Sequence, residues 1–438
     1  MTATRHDLAV ACLSAATDHP ARRELANEVH ARPFLRIDAP ARVTHLAVLG
    51  EAEAGGDLHF RLAGDFCSAL NFPPPEADSR HFVHAADGLQ VKWERHTEFS
   101  TFTVVGPGTA GEPFADWSDQ ADGTTEEWAE RLAGKRLVAL RIEVLKGEAA
   151  LAARGRRGDW FVDSGMVGSR VLGGGEVWCD WRIGDDGFSR FLVLDLDFRE
   201  NQVGRLVQRL AEIETYRLMA LLALPIAREM LGRLEHFDAA LGEVMRRMTT
   251  DQAASDADLL LALTELAGKV ESLSAGVQRF SAARAYDQLV LARIHELREE
   301  RIEGVPTIGE FMERRLSPAM DTCRSVQQRQ TDLAERISWA IDLLRTRVNL
   351  VQERQVTELL GGMHRTASTQ LKLQHAVEGL SVVAISYYVV SLISHVLTAL
   401  HDAGVHLNAS LVEALSIPVV LAATFLTIRG VRRRLAHG

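Results

Sequence analysis

Cysteine is scarce. The 438 residues hold four, Cys12, Cys67, Cys179 and Cys323, all far apart. No CxxC spacing exists, which argues against a zinc ribbon, a redox pair and a disulfide framework. Scattered free thiols suit a reducing compartment. A basic excess is also lacking: 49 Lys and Arg face 59 Asp and Glu, a net charge of −10. Nucleic acid is therefore not an expected partner, because it demands a basic surface. Catalytic signatures are missing too. There is no GxSxG, HExxH or Cys–His pattern, and LGGGE (Leu172–Glu176) reads as a turn because no GK[ST] follows it. An enzyme is the class with least support.

What the chain does have is apolar length. Hydrophobic residues make up 47%, enough for packed cores in two or three domains. GLSVVAISYYVVSLISHVLTAL, Gly379–Leu400, contains no Asp, Glu, Lys or Arg. As a helix rising ~1.5 Å per residue it spans roughly 33 Å, against ~30 Å of hydrocarbon. SLVEALSIPVVLAATFLTI, Ser410–Ile428, follows after the short HDAGVHLNA. The pair predicts a transmembrane hairpin. A buried helical hairpin is the alternative, disfavoured because apolar runs this long are rare in soluble domains. Arg345, Arg347, Arg354, Arg365 and Lys372 precede the first run, and Arg429, Arg432, Arg433 and Arg434 follow the second. The connecting loop has no Lys or Arg, so both termini are expected in the cytoplasm. LAVACLSAA, Leu8–Ala16, reads as an amphipathic helix rather than an export signal, being short and preceded by Asp7.

The rest has two textures. Residues 1–200 predict an α+β cytoplasmic domain, also compatible with α/β. Strands are expected at Arg42–Gly50, Leu89–Phe99, Lys135–Leu145, Gly175–Ile183 and Ser189–Phe198, all rich in β-branched or aromatic residues. Gly184-Asp185-Asp186-Gly187 reads as a hairpin turn. Helical pieces are expected at the N-terminus and around Thr124–Ala133, and Gly106–Thr125 as a surface loop. Residues 201–376 predict long coiled-coil helices. Apolar ridges repeat at steps of three and four: Met230, Leu234, Phe237, Leu241, Val244; then Leu259, Leu263, Leu266, Val270, Leu273, Val277, Phe280; then Leu333, Ile337, Ile341, Leu344, Val348, Val351. Pro306 and Pro318 bracket an interruption in which Thr307 and Glu310 suit a capping box. Gly361-Gly362 suits a bend. Residues 377–438 hold the hairpin and a basic cytoplasmic tail.

Four segments, RRELANEVHARPF (Arg22–Phe34), WERHTEFST (Trp93–Thr101), AEIETYRLMALLALP (Ala211–Pro225) and VEGLSVVAISYYVV (Val377–Val390), resemble in order a bacterial family of membrane-anchored proteins, domain of unknown function 3422. The resemblance covers nearly the whole chain and implies an inner-membrane protein; it brings no activity and no site residues. A looser, architectural similarity is to CorA-type metal-ion channels, in which an α/β domain, a helical stalk, two C-terminal spans and a basic tail follow one another. Those channels carry Gly-Met-Asn after the first span, where this chain reads Leu400-His401-Asp402-Ala403-Gly404, so that signature is missing here.

Candidate sites follow from residue type. Ser381, Ala384, Tyr388, Ser391, His395 and Thr398 share one helix face at spacings of three and four. In an oligomer that face lines a neutral polar pore; alternatively, small and polar residues simply mediate helix packing. Strand alternation puts Glu94, His96 and Glu98 on one face, with Trp93, Arg95 and Phe99 on the other. The trio has the chemistry for a divalent cation; the preferred, plainer reading is a solvated face with a cross-strand ion pair. No other cofactor is expected. His30 and Arg32, just before Pro33, suit an anion, or more plainly a helix end. His81 and His84, near Asp87, form a loop-borne metal guess. Glu214 and Arg217, in a segment with Glu212 and Tyr216, suit a surface ion pair.

Taken together, the expectation is an oligomeric inner-membrane protein of CorA-like layout that moves or senses small ions. The alternative is a membrane-tethered scaffold that binds a protein partner without transport.

Overall fold

The computed structural model describes residues 18–23, 25–26, 34–50, 55–77, 79–108, 112–115, 132, 135–250, 255–402 and 409–435. The expected helix at Leu8–Ala16, nearly all of Thr124–Ala133, most of the Gly106–Thr125 loop, and His30 and Arg32 lie outside them. The chain divides into two compact units, residues 1–339 and 340–438.

The first unit is a mixed α/β domain followed by long helices. Its strands are β1 (Ala41–Leu49), β2 (His81–Ala86), β3 (Leu89–Arg95), β4 (Phe99–Pro107), β5 (Arg136–Lys146), β6 (Val167–Val171), β7 (Gly175–Ile183), β8 (Ser189–Asp195) and the two-residue β9 (Glu300–Arg301). They form one sheet in the order β2-β3-β4-β1-β5-β8-β7-β6-β9. Only β5 and β8 pair in parallel among these; the other neighbours are antiparallel. Gly184–Gly187 turns β7 into β8 and Leu172–Gly174 turns β6 into β7, as their glycines suggest. Gly173 and Gly187 sit at φ +68° and +76°, backbone that glycine adopts without a Cβ penalty.

Alternation then builds two faces. On one, α1 (Gly55–Ala69) packs Leu62, Phe66 and Cys67 against Leu46, Val91, Trp93 and Phe102. Farther along the sheet, α2 (Gly147–Arg156) packs Ala150 and Ala153 against Leu145, Trp178 and Leu192. Trp93, Trp178 and Phe102 are at most 1% exposed, and each fully buried large apolar side chain contributes roughly 1.5–3 kcal/mol. The opposite face meets α3 (Gln202–Leu221), which buries Leu206, Leu210 and Ile213.

Long helices follow: α4 (Ala223–Thr250), α5 (Asp256–Glu271), α6 (Ser274–Leu297), the short α7 (Ile308–Arg315) and α8 (Ser317–Asp402). The ridge Met230, Leu234, Phe237, Leu241 and Val244 is buried on α4. The second expected ridge is not one helix. It breaks at Ser272-Leu273, so Leu259–Val270 belong to α5 and Phe280 to α6, with Val277 only partly covered. Both sides of the break keep apolar spacing, which hid it from periodicity. Thr307 and Glu310 form the expected capping box at the start of α7. On α8, Leu333, Ile337 and Leu344 are buried, Ile341 and Val348 are half-covered, and Val351 is exposed. Within the first unit, Gln330 Nε2 donates to the Val270 carbonyl at 3.3 Å and Arg336 pairs with Asp238 at 2.5 Å.

The second unit holds the rest of α8 and α9 (Ala409–Leu435). α8 runs unbroken through Gly361-Gly362, and Pro418 lies inside α9. Two helical segments are long and apolar enough to cross a membrane.

Candidate functional site

The sheet face that meets α3 carries polar residues where its neighbours are apolar. His45 on β1, Lys92 and Glu94 on β3, and Thr101 and Thr103 on β4 all point to that side, in register: Glu94 stands opposite Thr101, Lys92 opposite Thr103, and His45 opposite Thr103. With Val207, Gln208, Ala211, Glu212, Thr215 and Tyr216 of α3 they enclose a cavity of about 210 Å³. Leu35 and Ile37 close another side, and Arg293 of α6 reaches in. That volume is below the ~300–1,000 Å³ of sites for drug-sized molecules, so the cavity is sized for a small metabolite.

Gly204, in the first turn of α3, allows Leu35 to lie there. A Cβ at 204 would meet the Leu35 carbonyl oxygen at 1.9 Å, so any side chain would push that wall of the cavity away.

His45 ties the sheet to the helix. Its Nδ1 bonds Thr103 Oγ1 at 2.8 Å and its Nε2 bonds Thr215 Oγ1 at 3.1 Å. Burial, with Lys92 and His96 adding to it, lowers its pKa to about 3. The ring is therefore neutral, one nitrogen donating and the other accepting. Two ion pairs line the same space. Lys92 Nζ lies 3.1 Å from Glu94 Oε1, with the lysine side chain 5% exposed. Arg293 pairs with Glu212, and its other end meets Glu296 at 2.8 Å. Charges drawn wholly or partly out of water cost free energy unless paired, and these four are paired.

Beside the cavity, Glu98 takes a different role. Arg279 Nη1 donates to both its oxygens at 2.9 Å, and the Tyr286 hydroxyl donates to Oε2 at 2.8 Å. Arg279 also donates to the Met219 carbonyl at 2.6 Å. Burial first, then the Glu98 bond, raises the Tyr286 pKa above its usual value. Tyr286 stacks on Tyr216 at 5.8 Å, and Tyr216 lines the cavity.

The expected trio is thus divided. β3 ends at Arg95, and His96–Glu98 form the turn into β4, with the His96 amide donating to the Phe99 carbonyl at 2.8 Å. The turn resets the alternation. Phe99 falls on Glu94's side and stacks on His96 at 4.3 Å between ring centres, instead of lying with Trp93. Glu94 and His96 line the cavity; Glu98 binds Arg279. Among the described residues, no three His, Cys, Asp or Glu side chains group to hold a metal. His81 and His84 lie on the edge strand β2, not a loop. Glu214 and Arg217 do pair, at 2.7 Å, but Glu214 is 1% exposed and also accepts from Ser189 at 3.2 Å, so the pair is buried rather than superficial. His45, Lys92, Gln208, Thr215 and Arg293 escaped sequence reasoning. Lys92 left a trace, a polar residue between Val91 and Trp93 in a strand, and His45 a weaker one, following Thr44 in an otherwise largely apolar strand.

In the second unit, the polar stripe has its own geometry. Ser386 is 5% exposed, and Val382, Val390, Ile393 and Leu397 beside it are partly covered. On α9 the partly covered positions are Glu413, Ser416, Val420, Thr424 and Ile428, one ridge at steps of three and four. His395 lies nine residues beyond Ser386, roughly two and a half turns, and so points to the opposite side of α8. Tyr388, His395 and Thr398 are exposed, while Ser381 and Ser391 at the edges of the stripe are partly covered. Ser381 and Thr398 donate to carbonyls four residues back, at 2.8 and 2.9 Å, and His395 Nδ1 donates to the Ser391 carbonyl at 2.7 Å.

Two of the four segments that carried the sequence resemblance converge on the cavity, and a third ends just before a residue of its wall. Leu35 directly follows the first, Glu94, His96, Phe99 and Thr101 come from the second, and Ala211, Glu212, Thr215 and Tyr216 from the third. The fourth, Val377–Val390, lies in the apolar stretch of α8. No curated protein matches the chain. A family model described as "Protein of unknown function (DUF3422)" matches residues 17–435, and the chain belongs to that family.

Proposed function

We propose that the protein is a membrane-anchored receptor for a small molecule, bound in the cavity between the sheet and α3. One observation carries this reading: segments far apart in the chain close a single cavity whose wall holds two ion pairs and a neutral histidine. Interiors are close-packed, so an open space of this size with a polar wall suits a ligand. Anchorage is supported by the apolar stretches of α8 and α9, of which 6% each is buried within the protein, unlike the core helices of soluble folds. The Arg and Lys residues flanking both stretches favour a two-span hairpin in a bacterial inner membrane with both termini in the cytoplasm; the bacterial setting rests on the resemblance. A thermal-shift screen of the purified full chain in detergent against a metabolite library tests the reading. Stabilising compounds are expected, and Ala211→Leu, which fills the cavity from α3, should abolish their effect. Stabilisation that survives Ala211→Leu would remove it.

A second reading rests on the stripe. An ionisable residue within a membrane usually faces protein or water rather than lipid, and His395 faces away from the covered side of its own helix. A second copy of the chain is the cover that fits, with Ser381, Tyr388, Ser391, His395 and Thr398 around a shared axis; the apolar ridges of α4 and α5, expected as coiled coils, are already covered within the first unit and do not add to that contact. Such an assembly passes small ions along hydroxyl groups, in the CorA-like layout. If the same face only packs helices, the protein is a self-associating tether for the receptor domain and whatever protein partner it engages.

A further inference from the structure

A second cavity, of about 180 Å³, adjoins the first and shares Gln208, Glu212 and Arg293 with it. Phe34, Arg205, Arg209 and Glu296 complete its wall. Gln208 Nε2 donates to Glu212 Oε1 at 2.8 Å, and its Oε1 is shut in without a donor, so Gln208 belongs to the partition and not to the contacts open to a ligand. The guanidiniums are within reach. The side chains of Arg209 and Arg293 are 21% and 28% exposed, and Arg205 is exposed.

These guanidiniums keep donors in reserve. Arg293 uses Nε on Glu212 and Nη1 on Glu296. Arg209 uses Nε on Glu296 at 2.8 Å, which leaves its two Nη groups. Arg205 sits over the Phe34 ring, its Cζ 5.7 Å from the ring centre, a contact that takes up none of its five N–H donors. Among the described residues, no carboxylate lies within ion-pair distance of Arg205. Arg205 and Arg209 are four apart on α3, so they are surface neighbours that repel as like charges. Arg205 also stands in the first turn of α3, which holds no acidic residue, although a helix favours negative charge there. Three guanidiniums against two carboxylates leave one positive charge over in this wall. The first cavity does not supply the missing anion, since Glu94 is already paired with Lys92.

We propose that this second cavity is a site for a small carboxylate, held between Arg205 and Arg209; it stands independently of the receptor reading above. A carboxylate brings the one negative charge that the wall lacks. Its two acceptor oxygens match the forked donors that arginine presents.

The test is calorimetric titration of the purified full chain in detergent with butyrate, lactate and benzoate, each against its primary amide, and with inorganic phosphate. At least one carboxylate should bind, and its amide at least tenfold more weakly. Arg205→Gln should weaken the carboxylate roughly tenfold or more, and Arg205→Lys should restore part of the loss, because the charge returns without the fork. Both variants should melt close to the parent, since the side chain is exposed, which separates lost recognition from lost folding. Ala211→Leu should leave carboxylate binding in place, because Ala211 lines only the first cavity. Carboxylate binding that Ala211→Leu blocks and Arg205→Gln leaves untouched would remove the second site and keep the receptor reading. Amides that bind as tightly as their carboxylates, phosphate bound in preference to them, or no binding by any probe would each sink the proposal.

Discussion

His45 bonds hydroxyls on two elements and stays neutral because protonation would charge a ring cut off from water. Its folded pKa of about 3 lies below the 6.5 of the unfolded chain. Below pH 6.5 the unfolded state takes up a proton that the folded state refuses. Stability from this residue is therefore complete above pH 6.5 and falls as pH drops towards 3, by about 1.4 kcal/mol per unit. His59, lowered by burial and Arg95 and bonded to Ser100 at 2.7 Å, adds a loss of the same sign that also begins below pH 6.5. Urea unfolding followed by tryptophan fluorescence should show His45→Asn less stable than the parent at pH 7 but with a flatter loss between pH 6.5 and 4. An unchanged slope would mean that His45 is not the neutral bridge described.

At the scale of elements, the proposed membrane reading of the apolar stretch of α8 separates two duties. Insertion depends on apolar area and length, so Ser391→Leu with His395→Phe should leave membrane insertion intact or improve it. If the stripe is an ion path between copies, the same pair should abolish cation flux in proteoliposomes while the assembly persists. If it only packs helices, assembly itself should suffer. Parent protein that passes no monovalent or divalent cation would end the ion-path reading. Substitution on the other side, Val390→Leu, should change flux little. The turn His96–Glu98 teaches a related lesson. Three residues of turn moved Phe99 to Glu94's side and sent Glu98 to α6, which a strand pattern read straight through cannot anticipate.

For the whole molecule, the two units differ in how much apolar surface they leave uncovered. The first encloses its core in a sheet covered by helices; the second exposes Leu380, Leu392, Leu415 and Leu426 among others. Large exposed apolar surface marks an interaction with membrane or protein. Fusion reporters should place the C-terminus in the cytoplasm and Gly404 outside it, given the arginine asymmetry. Cytoplasmic activity at Gly404 would overturn the hairpin.

The sequence by itself determined what depends on near neighbours. Alternation and β-branching marked β1, β5, β7 and β8; steps of three and four marked the buried ridge of α4; the Thr307–Glu310 spacing marked a cap; long apolar runs marked the two segments able to span a membrane. The tertiary structure decided the cavity. Its wall joins Leu35, His45, Lys92, Thr103, Gln208 and Arg293, residues up to 258 positions apart, through strand register and one helix laid across a sheet. Nothing within a few residues of His45 or Gln208 encodes that meeting. Their chemistry, a histidine held neutral and an amide oxygen left without a donor, exists only once packing has removed water from around them.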